Sequence, residues 1–599
     1  MMTPRTLAAA LAGALFVAVS SPATAQQFDL LIRGGQVIDG TGSAPRRADV
    51  AVTGGRIVRI GDLTRATAAR TIDATGRMVT PGFIDMHSHA DWGFGTPELN
   101  VARNNLTQGI TTVVVGQDGR SAWRVGEKAT DAMKVWREQG LSENSILLVG
   151  HGSVRREVMG NEDRAPTADE LVRMRALVRE AMEQGAYGIS TGLGYVPGRF
   201  STTPEVIALT KEVQPFGGFY ISHLRNQGDN LMQSVDETIL IGRESGVPVV
   251  LSHFKSAGAR NFGKAKAAMD RIAEARKQGV VAWVDVYPWS TSSDGIDVDM
   301  VPRPAYTVGL ESNEEPALAT VLPTLSNEAL ARLMLDANRF LARTTTEAWL
   351  AKRPREELLT GATQALRSTM MRANDDVLRA NLRASMADPA RRDSVRGIIE
   401  RALTRQVPQQ YVIERAVDSR VNGKTLPEAA AILGLDVVDA AVELDLMGAV
   451  VTHYHMSEPD VEAILGYDFT SISTDGTLPY FGVGVPHPRS YGSFTRLIDH
   501  YVRERKAMTL PGAVRAASGL AADIIGLADR GYLKEGQWAD VLVFDPAKIS
   551  TCTTFAQPHC YSTGIDYMLV NGELTLNEGK YTGALAGRII TPAEARTKS

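Results

Sequence analysis

The sequence predicts an α/β fold, a TIM-type (β/α)8 barrel that carries a small β domain formed from both chain ends and a mostly helical insertion. Three observations predict it. Through the middle of the chain, short apolar runs alternate with amphipathic segments such as 168–184 and 230–245. That alternation implies parallel strands joined by helices. β-Rich stretches with hairpin-like glycine pairs occupy residues 28–80 and return near the other end in ADVLVFDP and IDYMLVNGEL. Finally, the interval from about Val301 to about Leu446 breaks the alternation with helical patterns, NEALARLMLDANRFLAR and LPEAAAILGL among them. Long excursions of this kind at the mouth of a barrel often cover its site.

The elements follow in order. MMTPRTLAAALAGALFVAVSSPATAQQ has one early cation, Arg5, an apolar stretch from Leu7 to Val19, and a small-x-small close at Ala23-Thr24-Ala25. This is the pattern of a secretory signal peptide, and its apolar part is too short to span a bilayer. Residues 1–25 are therefore expected to be removed, leaving a periplasmic or secreted chain without a transmembrane segment. Residues 26–80 open the small β domain, 81–510 make the barrel with its insertion, and 511–599 complete the small domain and tail. Strand candidates end at GFIDMHSH, TTVVVGQD, SILLVGHG, AYGIST, FYISHLR, PVVLSHFK, VVAWVDVYP, AVVTHYHM and TSISTDG. A barrel takes eight, so one is extra. The odd one is AVVTHYHM, which follows the insertion.

Composition excludes some classes of function. The 599 residues are 44% hydrophobic and 22% charged with a net charge of −4, and no basic patch suits nucleic acid. The two cysteines, Cys552 and Cys560, do not have metal-binding spacing. An oxidising compartment permits a disulfide between them, and free buried thiols are the alternative.

In a parallel barrel the chemistry gathers at the C-terminal ends of the strands. His87 and His89 end the first strand, two residues apart and so on one side of it. His223 ends FYISH, His253 ends VVLSH, Asp475 ends SISTD, and Asp118 follows VVVG. Four of only ten histidines thus meet two carboxylates on one rim. Singly, each is a loop hydrogen-bonder or a cap. Together they are the ligand set of Zn²⁺ or a similar divalent ion.

PGFIDMHSHAD resembles the first metal-binding strand of the amidohydrolase superfamily. GHGSVR, YGISTGLGYVPG, SHLRNQGD, SGVPVVLSHFKSAG, DVYPW, STDG, HPRSYGSF and GYLKEGQWADVLVFDP, in this order, narrow the likeness to the N-acyl-D-amino-acid deacylase (D-aminoacylase) family. The resemblance covers about residues 28–300 and 410–590. It implies a metal-dependent hydrolase barrel with a small β-sandwich. It implies metal ligands at His87, His89, His223 and His253, a catalytic aspartate at Asp475, and functional residues at Lys255 and Tyr287. Those two, with Arg225 and Arg489, are candidates for holding a substrate carboxylate, which cations can bind at fixed positions, with a structural ion pair as the alternative for each Arg and Lys. The family's GNCG turn is GQDG here, and an acid that often follows the arginine of the fifth strand is replaced by Gln227. The 304–400 segment is longer than the family needs.

The implied reaction is hydrolysis of the amide bond of an N-acyl-D-amino acid or a related peptide-like amide. One or two divalent ions, Zn²⁺ with Mn²⁺ or Co²⁺ possible, would activate water, and Asp475 would move the proton. His151 is a candidate to assist at the oxyanion, with a loop hydrogen bond as its alternative. His453 and His455 read as structural. A dipeptidase, lactonase or cyclic imidase on the same scaffold is the second reading, and a non-catalytic binding protein the third. Asp118 is expected to complete or bridge the metal site in place of the family's cysteine. It supplies the negative charge that neutral histidines lack, and its two oxygens can span two ions roughly 3.5–4 Å apart. Capping of the next turn is the alternative role.

Overall fold

The computed structural model describes residues 27–123, 128–295, 301, 303–306, 379–405, 411–483 and 485–595, with isolated positions between 326 and 355. The signal-peptide segment and most of the helix expected at NEALARLMLDANRFLAR lie outside the described residues. Among the described residues no helix is long and apolar enough to cross a membrane.

Eight parallel strands form the barrel: β1 Phe83–Asp85, β2 Ile110–Val115, β3 Asn144–Leu147 continued by Val149–Gly150, β4 Gly188–Gly192, β5 Phe219–His223, β6 Val249–Leu251, β7 Ala282–Val286 and β8 Thr470–Ile472. Each pairs with the next in parallel register. The ring closes where Ser88 bridges Gly476, with Asp475 N donating to His87 O at 2.8 Å and His89 N to Gly476 O at 2.8 Å. The strands read as unbroken apolar runs because both faces are buried, as every residue of β2 is. Helix Ala168–Glu183 starts at a capping box in which Thr167 and Glu170 bond each other's backbone. Helix Leu231–Ser245 stops at Gly246, which takes the left-handed conformation.

The small domain is built from both chain ends, as expected. Its strands join in one nine-stranded sheet, in which Met78–Pro81 pairs antiparallel with Val541–Phe544 far along the chain. Leu30, Ile32, Val50 and Val52 share a buried cluster with Val541, Val543 and Leu569.

Two boundaries differ from expectation. Helices Leu510–Ala517 and Gly519–Ile525 belong to the barrel, so its end moves from 510 to after Ile525. Leu520, Ala521 and Ile524 pack with Ile84, Val114, Ile146, Ile221 and Val250, joining the helix to the barrel's apolar lining. Those helices carry no strand pattern, and only the tertiary packing assigns them. The insertion is also longer than 301–446. Val450–His453, the extra strand, pairs antiparallel with Ser292–Gly295 on one side and Tyr411–Arg415 on the other. The excursion therefore includes a three-stranded sheet besides helices Pro389–Arg405, Leu426–Leu433 and Val437–Leu446, and it buries its own core around Tyr411, Ile413, Leu426 and Val451. It touches the barrel mouth where Gly258 N donates to His455 O and Val485 N to Glu414 O, each at 2.8 Å.

Asp85 fastens the seam of the barrel. Its carboxylate accepts from Thr474 N at 2.9 Å, from the Thr474 hydroxyl at 2.5 Å and from His87 N at 3.2 Å. Replacing Asp85 by Ala strands three buried donors, which predicts a loss of about 3 kcal/mol. A clear fall in the thermal unfolding midpoint checks this, and an unchanged midpoint would show the seam is held by the backbone alone.

Candidate metal centre

Each predicted ligand reaches the rim for a local reason. His87 and His89 follow β1 by two and four residues, and His223 is the last residue of β5. His253 and Asp475 lie just past β6 and β8 and adopt positive φ, at 32° and 50°. Asp118 also does, at 56°. Aspartate tolerates that region better than most residues.

The GQDG turn is pressed against its neighbours. A Cβ on Gly116 would lie 2.4 Å from Leu148 O, and one on Gly119 would lie 2.8 Å from Gly192 N. The Gln117 amide fills the space beneath, donating to Met86 O at 2.9 Å and Val114 O at 3.1 Å. Ser190 clamps both ends, accepting from Gly119 N at 3.1 Å and donating to Gly116 O at 2.5 Å. With its flanks fixed in this way, the Asp118 side chain has one place to go.

That place is shared by two groups of ligand atoms. His87, His89, Asp118 and Asp475 form one, and Asp118, His223 and His253 the other, with the atoms of each lying within 4.8 Å of one another. Asp118 Oδ1 is 3.6 Å from His87 Nε2, 3.4 Å from His253 Nε2 and 3.8 Å from His223 Nδ1, while Oδ2 is 3.4 Å from His89 Nε2. Asp475 Oδ1 is 3.5 Å from His87 Nε2 and 3.3 Å from His89 Nε2.

The donor set fits a cation. His87 Nδ1 is bonded to the Ser252 hydroxyl at 2.5 Å, whereas its buried Nε2 makes no hydrogen bond and points at the two carboxylates. Burial opposes ionisation of Asp118, yet the His87 charge and bonds from His253 and His89 hold its carboxyl well below the usual range. Asp475 is likewise held low against its burial, chiefly by Arg489 and His89. Burial works against the His89 imidazolium, but bonds to Asp118 and Asp475 push its pKa up to about 10. The two carboxylates thus stabilise positive charge at this spot, as a divalent ion requires. Burial and then like charge keep His223 and His253 neutral, the form in which imidazole binds a metal.

Supporting residues orient these ligands. Ser252 donates to Asp285 Oδ2 at 2.7 Å, and Asp285 Oδ1 accepts from His253 N at 2.9 Å. His253 Nδ1 meets Lys255 Nζ at 3.0 Å and Gln227 Nε2 at 3.2 Å, and Lys255 donates to Gln227 Oε1 at 3.0 Å. An amide at 227 satisfies Lys255 without neutralising it. Lys255 and Arg489 both stand over the Tyr287 ring, at 5.3 and 5.0 Å, and Arg489 donates to Asp475 Oδ2 at 2.6 Å.

Two candidates are engaged elsewhere. The Arg225 guanidinium pairs with Glu237 at 2.9 Å and donates to Arg199 O at 3.0 Å, which occupies it as a structural ion pair. His151 Nε2, at the start of helix His151–Met159, bonds Glu205 Oε1 at 3.0 Å, beside the Arg155–Glu205 pair. Both acids come from neighbouring helices, which sequence spacing does not connect. His453 and His455 contact each other's Nδ1 atoms, and His453 stacks on Tyr411 at 3.9 Å in the insertion sheet. Sequence reasoning passed over Ser252, Asp285 and Asp85. Their one signal is position, a residue before or two residues before a histidine or tyrosine at a strand end. It also passed over Trp92 and Tyr195, whose rings lie 4.6 and 4.3 Å from those of His89 and His223.

The amidohydrolase family model matches residues 70–212 and 468–576, which hold β1–β4, β8 and part of the small domain. D-aminoacylase of Alcaligenes xylosoxydans xylosoxydans is 31% identical, over 96% of this chain and 100% of its own. N-acyl-D-glutamate deacylase of the same organism is 32% identical, over 91% of this chain and 93% of its own. A solved D-aminoacylase described with a binuclear metal centre superposes with a TM-score of 0.71 at 29% identity, covering 94% of this chain and all of that one (100%). N-acyl-D-glutamate deacylase from Bordetella bronchiseptica, solved with zinc and a phosphonate inhibitor, also gives 0.71, at 28% identity and with 94% and 100% covered. With the barrel, the rim and these lengthwise matches in hand, the chain belongs to the D-aminoacylase (N-acyl-D-amino-acid deacylase) family of the amidohydrolases.

Proposed function

We propose that the protein hydrolyses the amide bond of N-acyl-D-amino acids, and that Asp118 serves as the shared anionic ligand of its metal centre. The observation that carries this reading is the membership of Asp118 in both ligand groups. The lengthwise likeness to three deacylases favours it over a dipeptidase, lactonase or cyclic imidase. Asp475, poised and ionised, favours it over a non-catalytic binding protein.

His87, His89, Asp475 and Asp118 would hold one divalent ion, and Asp118, His223 and His253 a second. When bound, the ion, which we assign as Zn²⁺, supplies Lewis acidity toward the amide carbonyl and toward water. Asp475 is the residue that accepts the proton from the attacking water and returns it to the leaving amine. Arg489 keeps Asp475 ionised for that task. Lys255, Tyr287 and Arg489 form the positively charged side of the site, suited to the substrate's α-carboxylate. Arg225 and His151 are left out of this assignment because Glu237 and Glu205 occupy them. A carboxylate is a harder ligand than a thiolate, so Mn²⁺ and Co²⁺ should be tolerated well.

We also propose that the chain is exported to the periplasm or beyond. The amino-terminal pattern and the Cys552–Cys560 disulfide support this, since such bonds persist in oxidising compartments. Intact mass of the exported protein should show loss of about 25 residues.

Zinc-loaded protein is expected to release free amino acid from a panel of N-acyl-D-amino acids and to lose activity on chelation. Turnover persisting with no metal by elemental analysis would overturn the metal reading, and turnover of the L-series alone would overturn the substrate class. Asp118→Ala should lower bound metal and cut kcat/KM by more than about 100-fold, with Asp118→Cys recovering part of both. Full occupancy and normal turnover in Asp118→Ala would return Asp118 to a turn-capping role.

A further inference from the structure

The loop between strands Val541–Phe544 and Ile565–Val570 belongs by connectivity to the small β domain, yet it reaches the barrel mouth. A disulfide between Cys552 and Cys560 closes it, with the Cα atoms 5.7 Å apart. Inside the ring so formed, the Thr553 hydroxyl donates to Pro558 O at 2.7 Å and Cys560 N to the same oxygen at 2.9 Å. The short loop is therefore cross-linked both covalently and by hydrogen bonds, and it presents Phe555 in a fixed direction.

Phe555 lies against three rings from three parts of the chain. Its centroid is 5.9 Å from Trp289 beyond β7, 4.8 Å from Tyr454 of the insertion and 5.3 Å from His487 of the segment after β8. His487 is the link to the chemistry. Its Nδ1 accepts from Arg489 N at 2.9 Å, which puts the ring proton on Nε2, where it faces the Thr291 hydroxyl at 2.6 Å. Arg489 in turn carries the ion pair with Asp475. The far end of the loop holds the same segment from the other side. His559 Nδ1 accepts from Gly482 N at 3.1 Å, and Tyr561 stacks on Phe481 at 4.9 Å.

We propose that this disulfide-closed loop is a working part of the active site and that Phe555 is a positioning residue, seating His487 and, through it, Arg489 beside Asp475. Of the three rings that Phe555 meets, His487 is the one bonded toward Arg489, and the effect runs through it. With its ring removed, one face of His487 loses its packing, and the backbone that presents the Arg489 guanidinium is released. Asp475 keeps its neighbours His87 and His89, so the larger effect falls on substrate binding.

The kinetic half of the test rests on the deacylase reading, and the structural half does not. Full-length protein is compared as wild type, Phe555→Ala, Phe555→Leu and wild type reduced with a phosphine, complete reduction being verified by thiol titration. Hydrogen–deuterium exchange over residues 485–492 reads the seating directly. Phe555→Ala and the reduced protein should exchange faster there. Phe555→Ala should also raise KM about tenfold with kcat changed by less than about threefold. Phe555→Leu should return both exchange and KM toward wild type. Unchanged exchange over 485–492 in Phe555→Ala, or in the reduced protein should that variant not fold, overturns the proposal. Faster exchange with unaltered KM, or with no recovery in Phe555→Leu, overturns it as well. If wild type hydrolyses no N-acyl-D-amino acid, the deacylase reading fails, while the exchange comparison still decides the positioning role.

Discussion

The rim of this barrel depends on one carboxylate being held ionised among four imidazoles. Asp118 is largely enclosed, its side chain 10% exposed, and enclosure by itself pushes its pKa up. It stays charged because the His87 charge lies beside it and His253 and His89 approach its oxygens within 3.4 Å. The dependence runs both ways. Four imidazoles packed together without an anion would repel one another as soon as they gained charge, whether from protons or from metal. The carboxylate makes the cluster a site for cations, and its two oxygens let it serve two ligand groups at once.

The scaffold exists to hold that arrangement against local cost. Asp118, His253 and Asp475 all sit at positive φ, a conformation that persists only when the surroundings over-determine it. For Asp118 the surroundings are the Gln117 amide and the Ser190 clamp. For His253 they are the Asp285 carboxylate, and for Asp475 the backbone bond to His87 that closes the barrel. Barrel closure and site assembly are therefore the same event at the β1–β8 seam. A fold that failed to close would also scatter the ligands.

Charge is divided across the mouth. Asp118 and the four imidazoles gather over strands β1, β2, β5 and β6. Cations gather on the side of β6 to β8, where Lys255 and Arg489 share the Tyr287 ring. Lys255 donates to a neutral amide at Gln227 and also meets His253 Nδ1. Around this side three separate chain segments converge: the insertion with Tyr454, the segment after β8 with His487, and the disulfide-closed loop with Phe555. Their meeting place is aromatic and lies in the segment that leads to Arg489.

The sequence by itself determined the barrel, its eight strand ends and the candidate ligands gathered upon them. Those features rest on local patterns: alternation marks strands, and a histidine two residues from another at a strand end shares its face. The extra strand and the small domain's two halves were legible for the same reason. Only the tertiary structure decided which long cations stand beside the candidate metal centre. Arg225 and Arg489 look alike in sequence, but Glu237 takes one and Asp475 the other. His151 similarly goes to Glu205, 54 residues away. Helices Leu510–Ala517 and Gly519–Ile525 joined the barrel, and the Cys552–Cys560 loop crossed to its mouth, for a related reason. A long side chain or an irregular loop is placed by whichever neighbour the fold brings within reach, and that neighbour leaves no periodic trace in the chain.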